Sequence, residues 1–351
     1  MKKVKLHIVG DVCLKDISDD TYTFDKDLLA YLKDGDLRIA NLECSVTRTD
    51  KKLPYQTLHL KAEPVMSTIY DTFDVYSIAN NHIMDYGEGG LLDTIEFLNN
   101  TNKSFFGAGK NKNEALLPII KEINGIKIAF IAFNRFNVAS SSKAGTAPED
   151  FKTIIKSIKQ LKQNGCFVIL YPHWNYQWIK YPAPDEKNKG YKLIDAGADI
   201  IVGAHPHIVQ GHETYKDKSI YHSLGNFVFR NTKYTKNIPE FGQSFVLTIE
   251  INEDLSYVTS ILPTKTNNDG VTIMNADDKQ NFLEHFSIIS NVLEDKKKSN
   301  LLFYEEGKII NKYNSFVWSE VKKDYGIRGV IENYKIANWQ DFKRKLYSIL
   351  F

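Results

Sequence analysis

Side chains that can bind metal ions follow five short apolar segments of the sequence. The polar motifs at the ends of these segments are Gly10-Asp11, Asn41-Leu42-Glu43, Asn80-Asn81-His82, Pro172-His173 and His205-Pro206-His207. In open α/β sheets the carboxyl ends of the strands meet at one edge, and ligands collect there. The sequence therefore predicts that two carboxylates, an amide and three imidazoles come together at one sheet edge.

This set of donors suits Mn²⁺, Fe²⁺ or Zn²⁺, since it is harder than a thiolate site and softer than an all-oxygen site. Two ions about 3.5–4 Å apart need roughly this many donors when one carboxylate bridges them. Each motif alone also fits a structural role, such as a turn, a helix cap or a core histidine. The His205-Pro206-His207 pair is the most specific, and Pro206 predicts an extended backbone there. The coincidence of all five motifs favours a metal site.

The apolar segments are predicted strands of a layered α/β fold, because helical patterns alternate with them. The predicted strands are Val4–Val9, Leu37–Leu42, Val75–Ala79, Ile126–Phe133, Phe167–Tyr171, Ile200–Gly203 and Ile220–His222. Apolar residues at helical spacing predict helices over Asp150–Asn164, about Gly90–Asn100 and about Glu186–Ala196. These elements place every motif just after a strand.

The pattern changes in the last third of the chain. Segments Ser244–Ile251 and Tyr257–Leu262 predict a hairpin, and the polar, turn-rich stretch Thr264–Asp278 predicts a boundary. We expect one domain over residues 1–266 and a mostly helical extension over 277–351. The apolar stripes of that extension are Phe282, Phe286, Ile289 and Val292, and then Trp339, Phe342, Leu346 and Ile349.

Composition and charge exclude several classes of protein. The 351 residues are 42% hydrophobic and 25% charged, which is typical of a globular chain. Because 45 Lys and Arg balance 43 Asp and Glu, we expect no nucleic-acid partner. No run approaches the roughly 18 apolar residues of a membrane span. The widely spaced Cys13, Cys44 and Cys166 indicate reduced thiols, and we expect a cytoplasmic protein without a transmembrane segment.

Further motifs extend the series in a fixed order. After Asn81-His82 come Asp85 and Gly87, then Gly107-Ala108-Gly109, His173-Trp174, the run from Asp195 to His207, and Ser223-Leu224-Gly225-Asn226-Phe227. Over about residues 4–262 this series resembles the CapA family of bacterial capsule synthesis proteins, associated with poly-γ-glutamate and similar to calcineurin-like metallophosphoesterases. The resemblance implies a four-layer α/β/β/α sandwich of metallophosphoesterase type, with a dinuclear metal site at the strand ends and a helical C-terminal extension outside the resemblance.

The resemblance also implies roles for individual residues. It implies metal ligands at six positions, with Glu43 as the bridging carboxylate: Asp11, Glu43, Asn81, His173, His205 and His207. His82 matches the residue that contacts the scissile phosphate or protonates the leaving group, and the spacing indicates that Asp85 orients it. His82 and Asp85 are thus the predicted catalytic pair. The predicted substrate contacts are Asn41, Trp174 and Asn226, although Trp174 also suits packing and Asn226 a turn.

Three positions depart from the superfamily pattern. Cys13 stands where the pattern has a histidine, so one metal site lacks an imidazole or gains a thiolate. Glu43 replaces an aspartate and is one methylene longer. Asn175-Tyr176-Gln177 follows His173-Trp174, where many relatives have Gly-x-Glu, so a carboxylate is missing, and its loss bears on the substrate rather than on the metals.

We therefore expect a dinuclear metal-dependent hydrolase, a phosphatase or phosphodiesterase of capsule or cell-surface polymer biosynthesis. It would use two divalent ions, Mn, Fe or Zn, on a phosphorylated or anionic polymer-related substrate. One alternative is amide or ester hydrolysis of poly-γ-glutamate. Another is a non-catalytic capsule-assembly subunit whose helical extension docks on a membrane-bound capsule synthase complex.

Overall fold

A computed structural model describes residues 2–18, 21–54, 58–230, 238 and 240–308. Its strands are β1 (Lys3–Val12), β2 (Thr23–Phe24), β3 (Leu37–Leu42), β4 (Ser45–Val46), β5 (Lys61–Ala62), β6 (Val75–Ser77), β7 (Ser104–Phe106), β8 (Ala108–Gly109), β9 (Ile119–Ile123), β10 (Ile126–Ile131), β11 (Gly145–Thr146), β12 (Phe167–Leu170), β13 (Ile200–Val202), β14 (Val209–Tyr215), β15 (Lys218–Leu224), β16 (Asn226–Val228), β17 (Gln243–Asn252), β18 (Tyr257–Thr266) and β19 (Gly270–Ile273).

The helices are α1 (Lys26–Lys33), α2 (Thr68–Thr72), α3 (Gly87–Asn100), α4 (Lys112–Ala115), α5 (Phe151–Gln163), α6 (Pro184–Asp195) and α7 (Ala276–Glu294). A further helical segment covers 296–308. Among the helices of the described ranges, none combines the length and the apolar character that a membrane span requires.

Two large sheets pack face to face at the centre of the molecule. One has the strand order β2-β19-β18-β17-β1-β3-β6-β7, with β16 paired to β1, and the other has the order β14-β15-β13-β12-β10-β9. Side chains of both sheets, such as Leu6 and Phe130, fill the apolar core between them. Helices α1 to α3 cover the outer face of the first sheet, and α5 and α6 cover that of the second. This is the four-layer α/β/β/α sandwich that the resemblance implies.

The seven predicted strands and three predicted helices all form. The strands are β1, β3, β6, β10, β12, β13 and β15, and the helices are α3, α5 and α6. Helix α5 shows why the sequence signal is clear: the Asp150 side chain caps its first turn by accepting from Thr153 N at 3.2 Å. Its apolar face buries Ile154, Ile158 and Leu161. Gly165, just beyond its end, has a φ of +73° that favours glycine.

The last third of the chain adds to the same core. The predicted hairpin is confirmed, since β17 and β18 pair antiparallel. The polar stretch Thr264–Asp278, predicted to be a boundary, contains β19, which pairs with β18 and with the distant β2. In α7, Phe282 and Ile289 pack into the core between the sheets. The division into 1–266 and 277–351 stays a prediction, and the stripe of Trp339, Phe342, Leu346 and Ile349 lies outside the described residues.

Candidate metal centre

The ends of strands from both sheets place their donors in one buried cluster. Within the described residues, two groups of three have donor atoms that lie within 4.8 Å of one another. The first group is Glu43, His173 and His205, and the second is Asp11, Glu43 and His207. Glu43 belongs to both groups, and the bridging role that the resemblance implies for it stays a prediction.

The first group surrounds Oε1 of Glu43. This oxygen lies 3.5 Å from Nε2 of His173, and the same nitrogen lies 2.9 Å from Nδ1 of His205. Oδ1 of Asn81 is 2.7 Å from Nε2 of His173. Four donors therefore converge here, one carboxylate oxygen, one amide oxygen and two imidazole nitrogens.

The second group surrounds Oε2 of Glu43. Nδ1 of His207 lies 3.8 Å from this oxygen and 3.6 Å from Oδ2 of Asp11. The backbone N–H of His205 donates to the same Asp11 oxygen at 3.4 Å. An irregularity in the register of β1 between Ile8 and Asp11 accompanies this placement. Such bulges re-aim side chains next to functional sites.

The backbone around the two imidazoles differs from the prediction. An extended conformation was expected next to Pro206, but φ is +100° at His205 and +61° at His207. Left-handed conformations are costly for residues with a Cβ and cluster at functional sites, where the surrounding structure holds them. Here they turn both rings towards the buried carboxylates.

Burial sets the protonation of the cluster. It raises the pKa of Asp11 to about 6. Burial, followed by the charge of Asp11, raises the pKa of Glu43 well above its ordinary range. Burial also lowers the pKa of His207 to about 4 and holds the pKa values of His173 and His205 well below their usual range. The imidazoles are therefore neutral, and the two adjacent carboxyl groups hold their protons more readily than exposed ones do.

These residues fit divalent metal ions. Neither side-chain oxygen of Glu43 has a hydrogen-bond partner in the described part of the chain, although both are fully buried. A buried carboxylate is costly unless it is paired or coordinates a metal. Carboxylate oxygen, amide oxygen and neutral imidazole nitrogen are the donors that divalent transition metals accept.

The raised pKa of Asp11 predicts how pH affects metal binding. A cation must displace its proton, whereas His207, with a pKa of about 4, stays neutral from about pH 8 to about pH 5. Without metal, the stability that protonated Asp11 contributes is complete below its ordinary pKa of 3.8 and is lost as pH rises through about 6. We expect the rise in unfolding temperature on Mn²⁺ addition to be larger at about pH 8 than at about pH 5. Equal rises at both values would contradict this.

His82 and Asp85 form the predicted pair beside the cluster. Nδ1 of His82 lies 2.8 Å from Oδ2 of Asp85, and this oxygen also accepts from Leu60 N at 2.7 Å. Asp85 is therefore fixed, and it holds the ring of His82. His82 is 9% exposed while Asp11 and Glu43 are fully buried. His82 and the half-buried Asn81 are thus more exposed than the two carboxylates.

The three predicted substrate contacts have other surroundings. The side-chain amide of Asn41 donates to Oδ1 of Asp11 at 2.8 Å. Oδ1 of Asn226 lies 2.9 Å from Nδ1 of His207. Trp174 is fully buried in the core beneath the second sheet, and its indole N–H donates to His222 O at 3.0 Å. All three side chains are buried, and their role as substrate contacts stays a prediction. The half-buried Trp178 instead stacks on the ring of His207, at 4.9 Å between ring centroids.

Cys13 belongs to neither group of candidate metal ligands. It lies in the apolar core on the helix side of the first sheet together with Cys44. A hydrogen bond with Cys44, together with burial, raises the pKa of Cys13 well above its ordinary value. Neither donor group includes Cys13, so of the two consequences expected from this substitution, the structure favours the missing imidazole over an added thiolate.

Asn80 is a positioning residue that was not predicted from the sequence. Its Nδ2 donates to Asn41 Oδ1 at 3.1 Å and to Leu42 O at 2.7 Å, while its Oδ1 accepts from the backbone N–H groups of His82 and Ile83. Asn80 thus ties the ends of β3 and β6 together. Asn80 belongs to the motif Asn80-Asn81-His82. The motif alone does not show which of its two asparagines has a structural role and which is a candidate metal ligand.

A four-layer α/β/β/α sandwich with paired donor groups at its strand ends defines a protein with a candidate metal centre. The sequence model of the family described as "Bacterial capsule synthesis protein PGA_cap" matches residues 5–231. The chain belongs to this family, as the motif series predicts.

Individual proteins are similar to parts of the chain. The capsule biosynthesis protein CapA of Bacillus anthracis is 32% identical over 65% of this chain and 60% of its own length. The PGA biosynthesis protein CapA of Bacillus subtilis (strain 168) is 34% identical over 52% of this chain and 48% of its own length. The chain thus spans about half of the length of these relatives. A solved structure of a phosphatase from Mycoplasma pneumoniae is 15% identical with a TM-score of 0.43, over 75% of this chain and 94% of that one.

Proposed function

We propose that this protein is a hydrolase of phosphate esters that uses two divalent cations and acts in the synthesis of capsule or a related cell-surface polymer. The observation that carries the proposal is the position of Glu43. Its Oε1 faces His173 and its Oε2 faces His207, and both oxygens are buried without a hydrogen-bond partner among the residues described. A cation on each side would satisfy both oxygens.

Six residues would hold the two ions, Glu43 between them: Asp11, Glu43, Asn81, His173, His205 and His207. Divalent ions in such a site supply Lewis-acid stabilisation of the reacting phosphoryl group and activate water. Asn41 orients Asp11 by donating to its Oδ1. Because the three imidazoles are neutral, each has a nitrogen lone pair that can bind a cation.

His82 would act on the leaving group. It is more exposed than the two carboxylates of the cluster, and its Nδ1 is held by Asp85, so its Nε2 is the nitrogen that faces an incoming substrate. A positioned imidazole that donates a proton to the leaving oxygen is a general acid. Asp85 acts through His82 and is a positioning residue.

The polymer context comes from the family and from the names of the relatives. We propose a phosphorylated or anionic polymer-related substrate, and association with a membrane-bound capsule synthase complex as the setting. Among the ions that this donor set accepts we propose Mn²⁺, because it binds carboxylate and amide oxygens together with imidazole nitrogen.

The proposal is tested by metal content and turnover of the purified full chain. Wild type is expected to bind two Mn²⁺ per chain and to hydrolyse aryl phosphate monoesters or diesters when Mn²⁺ is present. His205→Ala is expected to lose one ion and the activity. His285→Ala, which removes an imidazole on α7 outside the cluster, serves as the matched control. Absence of bound metal in the wild type would overturn the proposal. Release of glutamate from a γ-linked polymer, without aryl phosphate turnover, would replace phosphoester hydrolysis by amide hydrolysis.

A further inference from the structure

The two halves of the candidate metal centre differ in their donors. The half at Oε1 of Glu43 has four, because Asn81 contributes an amide oxygen. The half at Oε2 has Asp11 and His207 in addition to Glu43. The superfamily pattern has a histidine at position 13, but Cys13 lies in the apolar core beside Cys44. One coordination position of the second half therefore has no donor from the predicted ligands.

Asn226 is placed to fill that position. Its Oδ1 lies 2.9 Å from Nδ1 of His207, and that nitrogen lies 3.6 Å from Asp11 Oδ2 and 3.8 Å from Glu43 Oε2. Asn226 is fully buried. Its Nδ2 has no hydrogen-bond partner within the described ranges, so no contact of that nitrogen explains why a polar amide is buried there.

The backbone brings Asn226 beside Asp11. Strand β16 pairs in parallel with the end of β1, and Asn226 is the register partner of Asp11. The backbone N–H of Asp11 donates to Gly225 O at 3.1 Å. A Cβ on Gly10 would lie 1.9 Å from the same oxygen, and Gly225 has a φ of +74°. Glycine at both positions permits this approach, which places the two side chains at one point of the sheet edge.

The second ring nitrogen of His207 has its own neighbour. Nε2 of His207 lies 3.3 Å from Nε2 of Gln177, and a 180° rotation of the Gln177 amide would place its oxygen there instead. The ring would then donate from Nε2, and its Nδ1 would carry a lone pair. Histidine ligands commonly donate their other N–H in this way. Nδ1 of His207 and Oδ1 of Asn226 would then be two lone-pair donors 2.9 Å apart, an arrangement that a shared cation stabilises.

We propose that Oδ1 of Asn226 is the fourth ligand of the cation held by Asp11, Glu43 and His207, and that it replaces the side chain missing at position 13. The assignment rests on the proposed function, because it requires the metal centre. It gives each half of the centre one amide oxygen, from Asn81 and from Asn226. It also reassigns Asn226 from the substrate contact expected from the sequence.

The test is a Mn²⁺ titration of the purified full chain, with metal content as a second measure. Wild type is expected to bind two ions. Asn226→Ala is expected to keep one and to bind the other more than about 100-fold more weakly, beyond the roughly 10- to 100-fold typical of groups that act through a ligand. Asn226→Asp supplies a carboxylate oxygen and is expected to retain both ions. Cys13→Ala is the control and is expected to bind both ions with wild-type affinity.

Each result decides the assignment. If Asn226→Ala binds two ions with unchanged affinity, the assignment of Asn226 as a ligand is wrong, and the proposed function is unaffected. If the wild type binds no metal, the assignment and the proposed function are both wrong. If Asn226→Ala weakens the binding of one ion by less than about 100-fold and Asn226→Asp does not restore the affinity, Asn226 is a positioning residue for His207 and not a ligand. Thermal unfolding of the metal-free variants checks that they fold. In a crystal structure of the Mn²⁺-loaded protein, Oδ1 of Asn226 is expected within bonding distance of an ion.

Discussion

Glu43→Gln is expected to abolish the binding of both cations while leaving the metal-free protein at least as stable as wild type. Glutamine has nearly the same volume but no charge, so the packing around position 43 is retained. Burial and the charge of Asp11 hold the pKa of Glu43 well above its ordinary range. The ionised carboxylate therefore destabilises the metal-free fold, and it is favourable only when cations neutralise it.

The two effects are measured on the same samples. Metal content and Mn²⁺ affinity are expected to fall by more than about 100-fold, since a shared ligand is lost rather than a neighbour of one. The unfolding temperature without metal is expected to stay level or rise, and the increase on adding Mn²⁺ is expected to disappear. Glu88→Gln, at an exposed position of α3, is the matched control. A variant that keeps two ions, or that unfolds several degrees below metal-free wild type, would contradict the bridging role.

The gathering of the donors was predictable in part. Parallel strand ends bring Asp11 and Glu43 together at the edge of the first sheet, but His173 follows β12 of the second sheet. The donors were expected at one sheet edge, and they meet because two sheets pack face to face, which the strand pattern does not state. The pairing of Asn226 with Asp11 was not predictable in this way. It depends on the register between β16 and β1, and the motif Ser223–Phe227 does not state which strand it joins.

The aromatic residues after His173 show a second limit. Trp174 and Trp178 are close in sequence, and their residue type alone does not indicate which of them is enclosed in the core. Packing beneath the second sheet decides between them, because Trp174 is enclosed in the core that includes Leu193 and Ile220. Trp178 lies on the ring of His207 with a φ of +64°. Short strands are limited in the same way. Strand β19 has four residues inside a polar, turn-rich stretch, and its pairing with β18 and the distant β2 is not indicated by that stretch.

Replacing His82 is expected to remove proton donation while leaving the metal centre intact. His82→Gln is expected to lower kcat by about 10²- to 10⁴-fold, the usual contribution of a general acid, with two Mn²⁺ still bound. The loss depends on the leaving group, because an alkyl phosphate needs a proton on its departing oxygen and a nitrophenyl phosphate needs little assistance. We expect the larger loss with the alkyl ester. Asp85→Asn, which removes the carboxylate partner of Nδ1, is expected to reduce kcat less and to shift the pH profile.

The dependence on the leaving group separates proton donation from other roles of His82. If His82 only contacted the phosphoryl oxygens, the loss would be the same for alkyl and nitrophenyl esters. If it held a cation, His82→Gln would lose metal. The distance of 2.8 Å to Asp85 and the residual exposure of His82 favour proton donation, because a ring fixed at Nδ1 presents Nε2 to substrate. His285→Ala, on α7, is the control and is expected to leave both kcat values unchanged. A leaving-group dependence unchanged from wild type would show that His82 is not the general acid.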